Sequence, residues 1–310
     1  MAQDATRRIA PTPRTEPPPA PHGMVAVPAG AFLMGSERFY PEERSAHWVE
    51  VGGFWIDRHP VTNADFARFV AATGHVTVAE RRPCPEDHPG VDPALLVPGS
   101  LVFRAPPGPV PLRDPRAWWA YVPGACWRRP EGPGSGIAER LDHPVVHVAH
   151  ADAEAFAAWA GKALPSEAEW ERAARGGLQG ATYAWGEDFA PEGRFRANTW
   201  QGPFPWRDLG LDGFAGTSPV GAFPPNGYGL HDMIGNVWEW TADDFGPHAA
   251  SASPCCRGRG LPGARRSKVV KGGSHLCAPD HCRRYRPAAR QPQEADTSAS
   301  HIGFRCVRHA

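Results

Sequence analysis

The sequence predicts an α+β fold with little regular secondary structure, and three features of the chain support this class. Short strand-like segments lie near both ends, and three short helices lie between them. The third feature is residues 183–240, which are rich in Trp, Gly, Asn, Asp and Pro and have few long periodic runs. Such a stretch needs side chains or ions as partners for its backbone groups. The 310 residues suit one large domain or two small ones.

Breaker residues divide the chain into its predicted strands and loops. MVAVPAGAFLMGS and VEVGGFWIDRHPVT are each predicted to form strand, turn and strand, and KVVKGGSHLC and HIGFRCVRH are strand-like. Residues 81–116 are rich in proline without a period, so we expect a long ordered loop or an insertion. Residues 243–266 are expected to form a surface loop. It includes Cys255 and Cys256, which we expect to have no catalytic duty.

Cap residues define the three predicted helices. Thr62 caps the first helix and Gly74 ends it, while the second helix covers residues 152–160. A capping box that begins at Ser166 starts the third helix, and Gly176 ends it.

Charge and hydropathy exclude several classes of partner. Basic and acidic residues each number 33, so the formal net charge is +0. This balance disfavours nucleic acid or an anionic membrane as the main partner. No window has the apolar length that a membrane span needs. Residues 1–23 are Pro-rich and lack the apolar stretch of a secretory signal, so we expect a disordered leader, a domain over residues 24–310 and a cytoplasmic location.

Two of the seven cysteines form the main candidate site. An odd number of cysteines in a cytosolic chain disfavours a disulfide framework. Cys277 and Cys282 are five positions apart in GGSHLCAPDHCRRYRPAAR, so their thiols can meet across a tight loop. Four interpretations are open: a disulfide, a zinc site completed by His275 and His281, two inert core thiols, or a soft-metal site.

The soft-metal interpretation has a clear chemical basis. Thiolates prefer Cu(I), and two of them are enough for a linear arrangement, which leaves the metal open to a third sulfur from a substrate. Arg283, Arg284 and Arg286 follow the pair, and their positive charge would favour thiolate over thiol.

Two other groups of residues could bind metals. Asn198, Asp212, Asp232 and Glu239 lie in irregular segments, and oxygen ligands spread over loops suit Ca2+. Asn and Asp are also common turn formers, so composition alone leaves this open. The histidines before the second helix, His143, His147 and His150, are better explained as scattered polar or capping residues than as a metal triad.

The sequence resembles the formylglycine-generating enzyme, or sulfatase-modifying factor, family. The resemblance covers about Met24 to Val307 and includes the paired-cysteine block. The other blocks that carry it, in family order, are PVTNADFARFV, HPVVHVAHADAEAFAAWAGKALPSEAEWERAARGG, NTWQGPFP, DGFAGTSPVGAFPPNGYGLHDMIGNVWEW and SASHIGFRC. The paired cysteines narrow the resemblance to the copper oxidases of this superfamily.

The resemblance implies a single C-type-lectin-like domain, low in regular structure and stabilised by calcium. One Ca2+ would bind the side chains of Asn198 and Asp212 and the carbonyls of Thr199 and Phe214. A second would bind the side chains of Asp232 and Glu239 and the carbonyls of Gly235 and Val237.

The resemblance also implies a reaction. The cysteine of a Cys-x-Pro-x-Arg motif in an unfolded sulfatase would be oxidised to formylglycine by O2. Cys277 and Cys282 would hold Cu(I), and a thiol or other reductant would supply the remaining electrons. Ser274 matches the active-site serine of the family and Trp238 matches a tryptophan beside the metal pocket. Tyr285 and Arg286 would hold the metal-binding residues in position and take no part in the chemistry.

Departures from the family pattern bear on the other cysteines. Some relatives have cysteines where this chain has Ala157, Ala174 and Pro287. Cys306 therefore lacks the partner that it has in those relatives, and we expect a free core thiol.

Two rival functions remain open at the level of sequence. One is a non-haem iron oxidase or sulfoxide synthase on the same fold, which needs a histidine triad rather than the cysteine pair. The other is a non-catalytic lectin-like binding module that has calcium but no copper.

Overall fold

Short strands dominate the regular secondary structure of this chain. The computed structural model describes residues 21–248 and 267–309. In these ranges, the strands are β1 (Met24–Val27), β2 (Gly30–Met34), β3 (His47–Val51), β4 (Phe54–Asp57), β5 (Gly99–Phe103), β6 (Trp119–Pro123), β7 (Trp238–Asp244), β8 (Ser267–Lys271), β9 (Arg290–Glu294), β10 (Ile302–Gly303) and β11 (Val307–His309). The helices are α1 (Asn63–Thr73), α2 (His150–Trp159) and α3 (Glu167–Arg175).

The described strands form small sheets that join distant parts of the chain. One sheet has the order β1-β4-β11 and therefore pairs both ends of the domain, and another has the order β10-β7-β8-β9. In the second sheet β10 is parallel to β7, and Ile302 lies opposite Trp238. β2 pairs with β3, and β5 pairs with β6. The predicted α+β class with little regular structure is confirmed.

The three predicted helices are present, and two of them have the predicted caps. Thr62 accepts a hydrogen bond from the Asp65 backbone, and Gly74 ends α1 in the left-handed conformation. Ser166 begins α3 with a complete capping box, and Gly176 ends it, again left-handed. Glycine adopts this conformation without the steric cost that a Cβ would impose.

Two loop predictions need correction. The stretch 81–116 contains β5, which pairs along its whole length with β6, because residue 99 lies opposite residue 123 and residue 103 opposite residue 119. Strand pairing between separate segments supplies partners that the proline-rich sequence does not reveal. The predicted loop 243–266 begins later than expected, since β7 continues to Asp244. Residues 249–266, with Cys255 and Cys256, lie outside the described ranges, as does most of the predicted leader.

Two large hydrophobic clusters fill much of the interior. The first contains Phe66, Phe156, Trp240, Phe304 and the thiol of Cys277. The second packs α3 against the N-terminal strands. The cysteine loop is therefore part of the main core. Among the described residues no helix is long and apolar enough to cross a membrane.

Candidate active site

Cys277 and Cys282 are in direct contact. Their sulfur atoms are 3.2 Å apart, well beyond the ~2.05 Å of a disulfide bond, and both cysteines are free. Cys277 is buried and Cys282 is partly buried. The pair therefore has an inner and an outer thiol, and an incoming molecule can reach Cys282 more readily than Cys277.

Backbone hydrogen bonds hold the loop that presents the two thiols. The Cys277 N–H donates to the carbonyl of Ser274, and the Cys282 N–H donates to the carbonyl of Ala278, each at 2.9 Å. The buried Ser274 accepts a bond from the Leu276 N–H on its hydroxyl oxygen, and its own N–H points at the Cys277 sulfur at 3.4 Å. Ser274 thus contacts the inner thiol, where the sequence places the family's serine.

The pKa values of the two thiols are shifted in opposite directions. The hydrogen bond from Cys277, followed by the charge of Arg284, lowers the pKa of Cys282 to about 7. Burial, followed by the same hydrogen bond, raises the pKa of Cys277. Near neutral pH the pair can therefore exist as a Cys282 thiolate that accepts a hydrogen bond from the Cys277 thiol.

The three arginines after the pair have different partners. Only Arg284 reaches a cysteine, with its Nη1 atom 3.9 Å from the Cys282 sulfur. Its Nη2 atom is 2.5 Å from Glu42, and its guanidinium lies 3.8 Å from the centre of the Tyr40 ring. Arg283 donates to the Tyr183 hydroxyl. The expectation that all three arginines favour the thiolate is therefore too broad, and Arg284 has this role.

Arg286 pairs with a carboxylate from the N-terminal part of the chain. It forms a bidentate ion pair with Glu43, with contacts of 2.5 and 2.8 Å, and both side chains are buried. Its charge is neutralised there, so it fixes the loop rather than the protonation of the thiols. The neighbouring Tyr285 is buried in the main core with Cys277. Both residues therefore support the site structurally.

Aromatic residues surround the cysteine loop on two sides. Trp238 belongs to the same buried cluster as Cys277, and Cys282 packs against that cluster. On the other side, the aromatic cluster contains Trp118, Trp200 and Phe204 together with Leu276 and Ala278 of the loop itself. The carbonyl of Cys277 accepts a hydrogen bond from the Trp200 N–H. Both sides therefore restrict water around the inner thiol.

Three residues of the first predicted calcium set, Thr199, Asp212 and Phe214, contact one another. The Asp212 carboxylate accepts bonds from the backbone N–H groups of Thr199 and Phe214, at 3.0 and 3.1 Å. The Asn198 side chain lies in the same turn region, where it donates to Gly216. The Gln201 amide nitrogen lies among three oxygens, namely the carbonyl and hydroxyl of Thr199 and the carboxylate of Asp212. An amide N–H donor lies among these oxygens, and the oxygens are of the types that Ca2+ takes as ligands.

The second predicted calcium set does not fit a calcium shell as its side chains are arranged. Both carboxylate oxygens of Glu239 accept bonds from Arg305, at 2.7 and 2.8 Å, and one also accepts from the Trp170 indole N–H. The same guanidinium donates to the carbonyl of Asp232. Gly235 and Val237 lie in the connecting turn, but the positive charge beside Glu239 is that of Arg305.

The candidate histidines do not converge. Both ring nitrogens of His147 have partners, the Ser100 hydroxyl and the Pro130 carbonyl, and burial lowers its pKa to about 4. His150 faces the Thr241 carbonyl, and His143 faces the Thr217 hydroxyl. Within the described ranges no three His, Cys, Asp or Glu side chains form a metal-binding group. Neither an iron triad nor a four-ligand zinc site is therefore present there.

Sequence reasoning missed Glu42 and Tyr40, which lie more than 240 positions from the arginines that they contact. The Tyr40 hydroxyl accepts a bond from the Arg283 N–H, and Glu42 holds Arg284. No local pattern marks these residues. The one available signal was the adjacent acidic pair of residues 42 and 43 in a chain whose cysteine block is rich in arginine.

Comparison with known proteins decides the family. The sequence profile of the Sulfatase-modifying factor enzyme 1-like domain matches residues 10–310. The chain belongs to the sulfatase-modifying factor family. It is 59% identical over 290 residues to the formylglycine-generating enzyme of Mycobacterium tuberculosis, covering 92% of this chain and 97% of that protein. Among solved structures, PvdO from Pseudomonas aeruginosa matches with a TM-score of 0.61 and 25% identity, covering 93% of this chain and 94% of that one.

Membership of the sulfatase-modifying factor family does not by itself establish activity. The inactive Cα-formylglycine-generating enzyme 2 of Mus musculus is 42% identical over 297 residues, covering 93% of this chain and 86% of that protein. The chemistry of the individual side chains therefore has to carry the functional argument. In this chain the thiol pair and Ser274 contact one another, and Trp238 belongs to the same buried cluster as Cys277.

Replacing Arg284 with methionine should raise the pKa of Cys282, because the thiolate loses its nearest positive charge. With a pKa of about 7, about half of Cys282 is ionised at pH 7. A rise of one unit would leave about a tenth as thiolate. Metal-free protein is alkylated with iodoacetamide over a range of pH values. Mass spectrometry then measures the modified fraction of the peptide that contains Cys282.

Arg116→Met is the matched control, since Arg116 is exposed and forms its ion pair with the nearby Asp114. It should leave the profile of Cys282 unchanged. An unchanged profile in Arg284→Met would contradict the assigned role of the guanidinium.

Proposed function

We propose that this chain is a formylglycine-generating enzyme that uses Cu(I) and O2 to oxidise the cysteine of a Cys-x-Pro-x-Arg sulfatase peptide. The observation that carries the proposal is the contact between the Cys277 and Cys282 thiols, one of which has a pKa of about 7. Two adjacent sulfurs near a single arginine suit a soft monovalent metal. The similarity to a relative named for formylglycine generation supports the reaction class.

Cys277 and Cys282 would hold the copper, which supplies the redox chemistry with O2 when it is bound. Cys282 can release its proton near neutral pH, and Arg284 offsets the negative charge that remains. The buried Cys277 and Ser274 form the closed end of the site, so the substrate thiol approaches from the side of Cys282. Trp238 and the aromatic cluster keep bulk water from the inner thiol.

The net reaction requires a reductant. A peptide cysteine, O2, two electrons and two protons give the aldehyde, hydrogen sulfide and water. The β-carbon of the cysteine is oxidised and O2 is reduced. A cellular thiol is the proposed source of the electrons. We also propose a cytoplasmic location, because a reducing compartment would keep the Cys277 and Cys282 thiols free.

The decisive experiment is conversion of a peptide. Protein loaded with Cu(I) should convert a synthetic Cys-x-Pro-x-Arg peptide to the aldehyde in the presence of O2 and a thiol, detected by mass spectrometry and by aldehyde capture. Cys277→Ala and Cys282→Ala should each lower the rate by at least about a hundredfold, because each removes one metal ligand. Cys84→Ala changes an exposed cysteine and should retain the parental rate. A parent protein with no activity would overturn the proposal.

Metal binding can be measured without turnover. Anaerobic titration with Cu(I) against a competing chelator should give one equivalent per chain in the parent. Binding should be lost in Cys277→Ala and in Cys282→Ala, whereas His147→Gln should retain it because His147 has a structural role. Loss in the histidine variant together with retention in both cysteine variants would favour the iron interpretation.

Calcium content tests the two oxygen sites separately. We propose one structural Ca2+ at Asp212, where the Gln201 amide nitrogen also contacts the carbonyl and hydroxyl oxygens of Thr199, rather than two. Metal analysis after dialysis against calcium should give about one equivalent, and Asp212→Asn should abolish it and lower the Tm by several degrees. Asp232→Asn should retain the ion. Two equivalents in the parent would show that Arg305 gives way to a second calcium ion.

A further inference from the structure

Arg283 is an exposed cation beside the outer thiol. It directly follows Cys282 in the chain, and its side chain is open to solvent. The other two arginines of the block, Arg284 and Arg286, are each neutralised by a glutamate of the N-terminal segment. Within the described ranges no carboxylate forms an ion pair with Arg283, and this includes the exposed Asp280 of the same loop. Arg283 is therefore the arginine of this block whose charge is available to a ligand.

Three contacts fix the position of Arg283. Its Nη2 atom donates to the Tyr183 hydroxyl at 3.0 Å. Its guanidinium lies over the Phe39 ring, 5.6 Å from the ring centroid, and its backbone N–H donates to the Tyr40 hydroxyl at 3.0 Å. A guanidinium has several N–H donors in a planar fork, so the bond to Tyr183 leaves others for a carboxylate. A cation that is held in place loses little conformational entropy when an anion binds.

The contact with Tyr183 places the guanidinium on the same side as the thiols. Tyr183 is buried in the main hydrophobic cluster together with Cys277, and Cys282 packs against that cluster. Cys282 is also the less buried of the two cysteines. A small molecule that reaches Cys282 from solvent therefore comes close to the positive charge of Arg283.

Resting on the proposed function, we propose that Arg283 binds the carboxylate of the thiol that supplies the electrons. The reductant is then a small thiol that carries a carboxylate, and Arg283 is a specificity residue for this second substrate. Two such thiols form one disulfide and release the two electrons and two protons that the reaction consumes. The sulfur of the reductant lies toward Cys282 while its carboxylate contacts the guanidinium.

A carboxylate suits this position better than a neutral group does. The guanidinium fork matches the two oxygens of a carboxylate, which a lysine ammonium cannot do in the same way. An uncompensated positive charge also raises the local concentration of an anionic thiol relative to a neutral one. An acidic residue of the peptide substrate would offer the same group, so the first test contains no peptide.

Metal-free protein provides this first test without turnover. The Cys282 thiolate attacks a disulfide reagent, the S–S bond of the reagent breaks, and the other half leaves as a thiolate with the electron pair. One reagent, dithiobis(nitrobenzoate), has a carboxylate on each ring, and the other, dithiodipyridine, is neutral. After removal of the reagent, alkylation with iodoacetamide and mass spectrometry measure the fraction of Cys282 that is no longer free.

The quantity compared is the ratio of the rates with the anionic and the neutral reagent, because intrinsic differences between the reagents cancel between proteins. Arg283→Gln should lower this ratio about three- to fivefold at low salt, as expected for one exposed charge. High salt should bring the ratio of the parent toward that of the variant. Arg283→Lys retains the charge and should stay within about twofold of the parent. Arg308→Gln removes an exposed arginine on β11 and should leave the ratio unchanged.

Peptide conversion then identifies the reductant. Protein loaded with Cu(I) is assayed with a peptide that has no acidic residue, and the thiol is either mercaptopropionate, an anion, or mercaptoethanol, which is neutral. Arg283→Gln should raise the KM for mercaptopropionate about three- to fivefold relative to the KM for mercaptoethanol. Arg308→Gln should have the same two KM values as the parent.

The two proposals can fail separately. Equal rate ratios for the disulfide reagents in the parent and in Arg283→Gln would overturn anion binding by Arg283 and leave the enzymatic function in place. A lowered ratio in Arg283→Gln, combined with thiol KM values that do not change, would assign the cation to another ligand and overturn its role in reductant binding. A parent protein that converts no peptide with either thiol would overturn the function, while the metal-free assay would still decide whether Arg283 binds an anion.

Discussion

The buried ion pair between Arg286 and Glu43 joins two ends of the chain that are far apart in sequence. Both side chains are almost completely buried and their contact is bidentate. Removing one partner of such a pair leaves an uncompensated charge in the interior, which typically costs about 3–5 kcal/mol. The segment that contains Glu43 also carries Tyr40 and Glu42, and these residues reach the arginines beside Cys282. The ion pair therefore fixes the surroundings of the thiols as well as the fold.

Further buried pairs extend this constraint along the sheet. Arg290 contacts Glu167 at the start of α3, and Lys271 at the end of β8 contacts Glu171 at 2.9 Å. These charges attract one another across the boundary between α3 and the strands that precede and follow the cysteine loop. In a protein with few long helices or strands, charge pairs of this kind supply much of the specificity that regular hydrogen bonding supplies elsewhere.

The contact between the thiols gives the two cysteines different tendencies to lose a proton. Burial keeps the proton on Cys277, whereas the hydrogen bond and Arg284 favour loss of the proton from Cys282. Such an asymmetric pair would bind a soft cation, as proposed, without placing two full negative charges in the interior before the metal arrives. The outer position of Cys282 also gives the site a direction of approach. The proposed peptide chemistry needs both features.

The sequence alone was sufficient for features that depend on neighbouring residues. Thr62, Ser166, Gly74 and Gly176 placed helix ends correctly because caps act within one turn of backbone. The spacing of the two cysteines indicated that their thiols could meet, and the family resemblance identified the fold class. The expectation that Cys306 is a buried free thiol is also confirmed. These features need little information from distant parts of the chain.

Tertiary structure alone decided which charges and strands meet. The pairing of β5 with β6, the contact of Glu42 with Arg284 and the contact of Arg305 with Glu239 join segments whose local sequence does not identify the partner. The carboxylate of Glu239 looked like a calcium ligand in sequence and has an arginine as its counter-ion in the structure. A carboxylate binds whichever cation the fold brings to it, and the chain around it specifies only that one is needed.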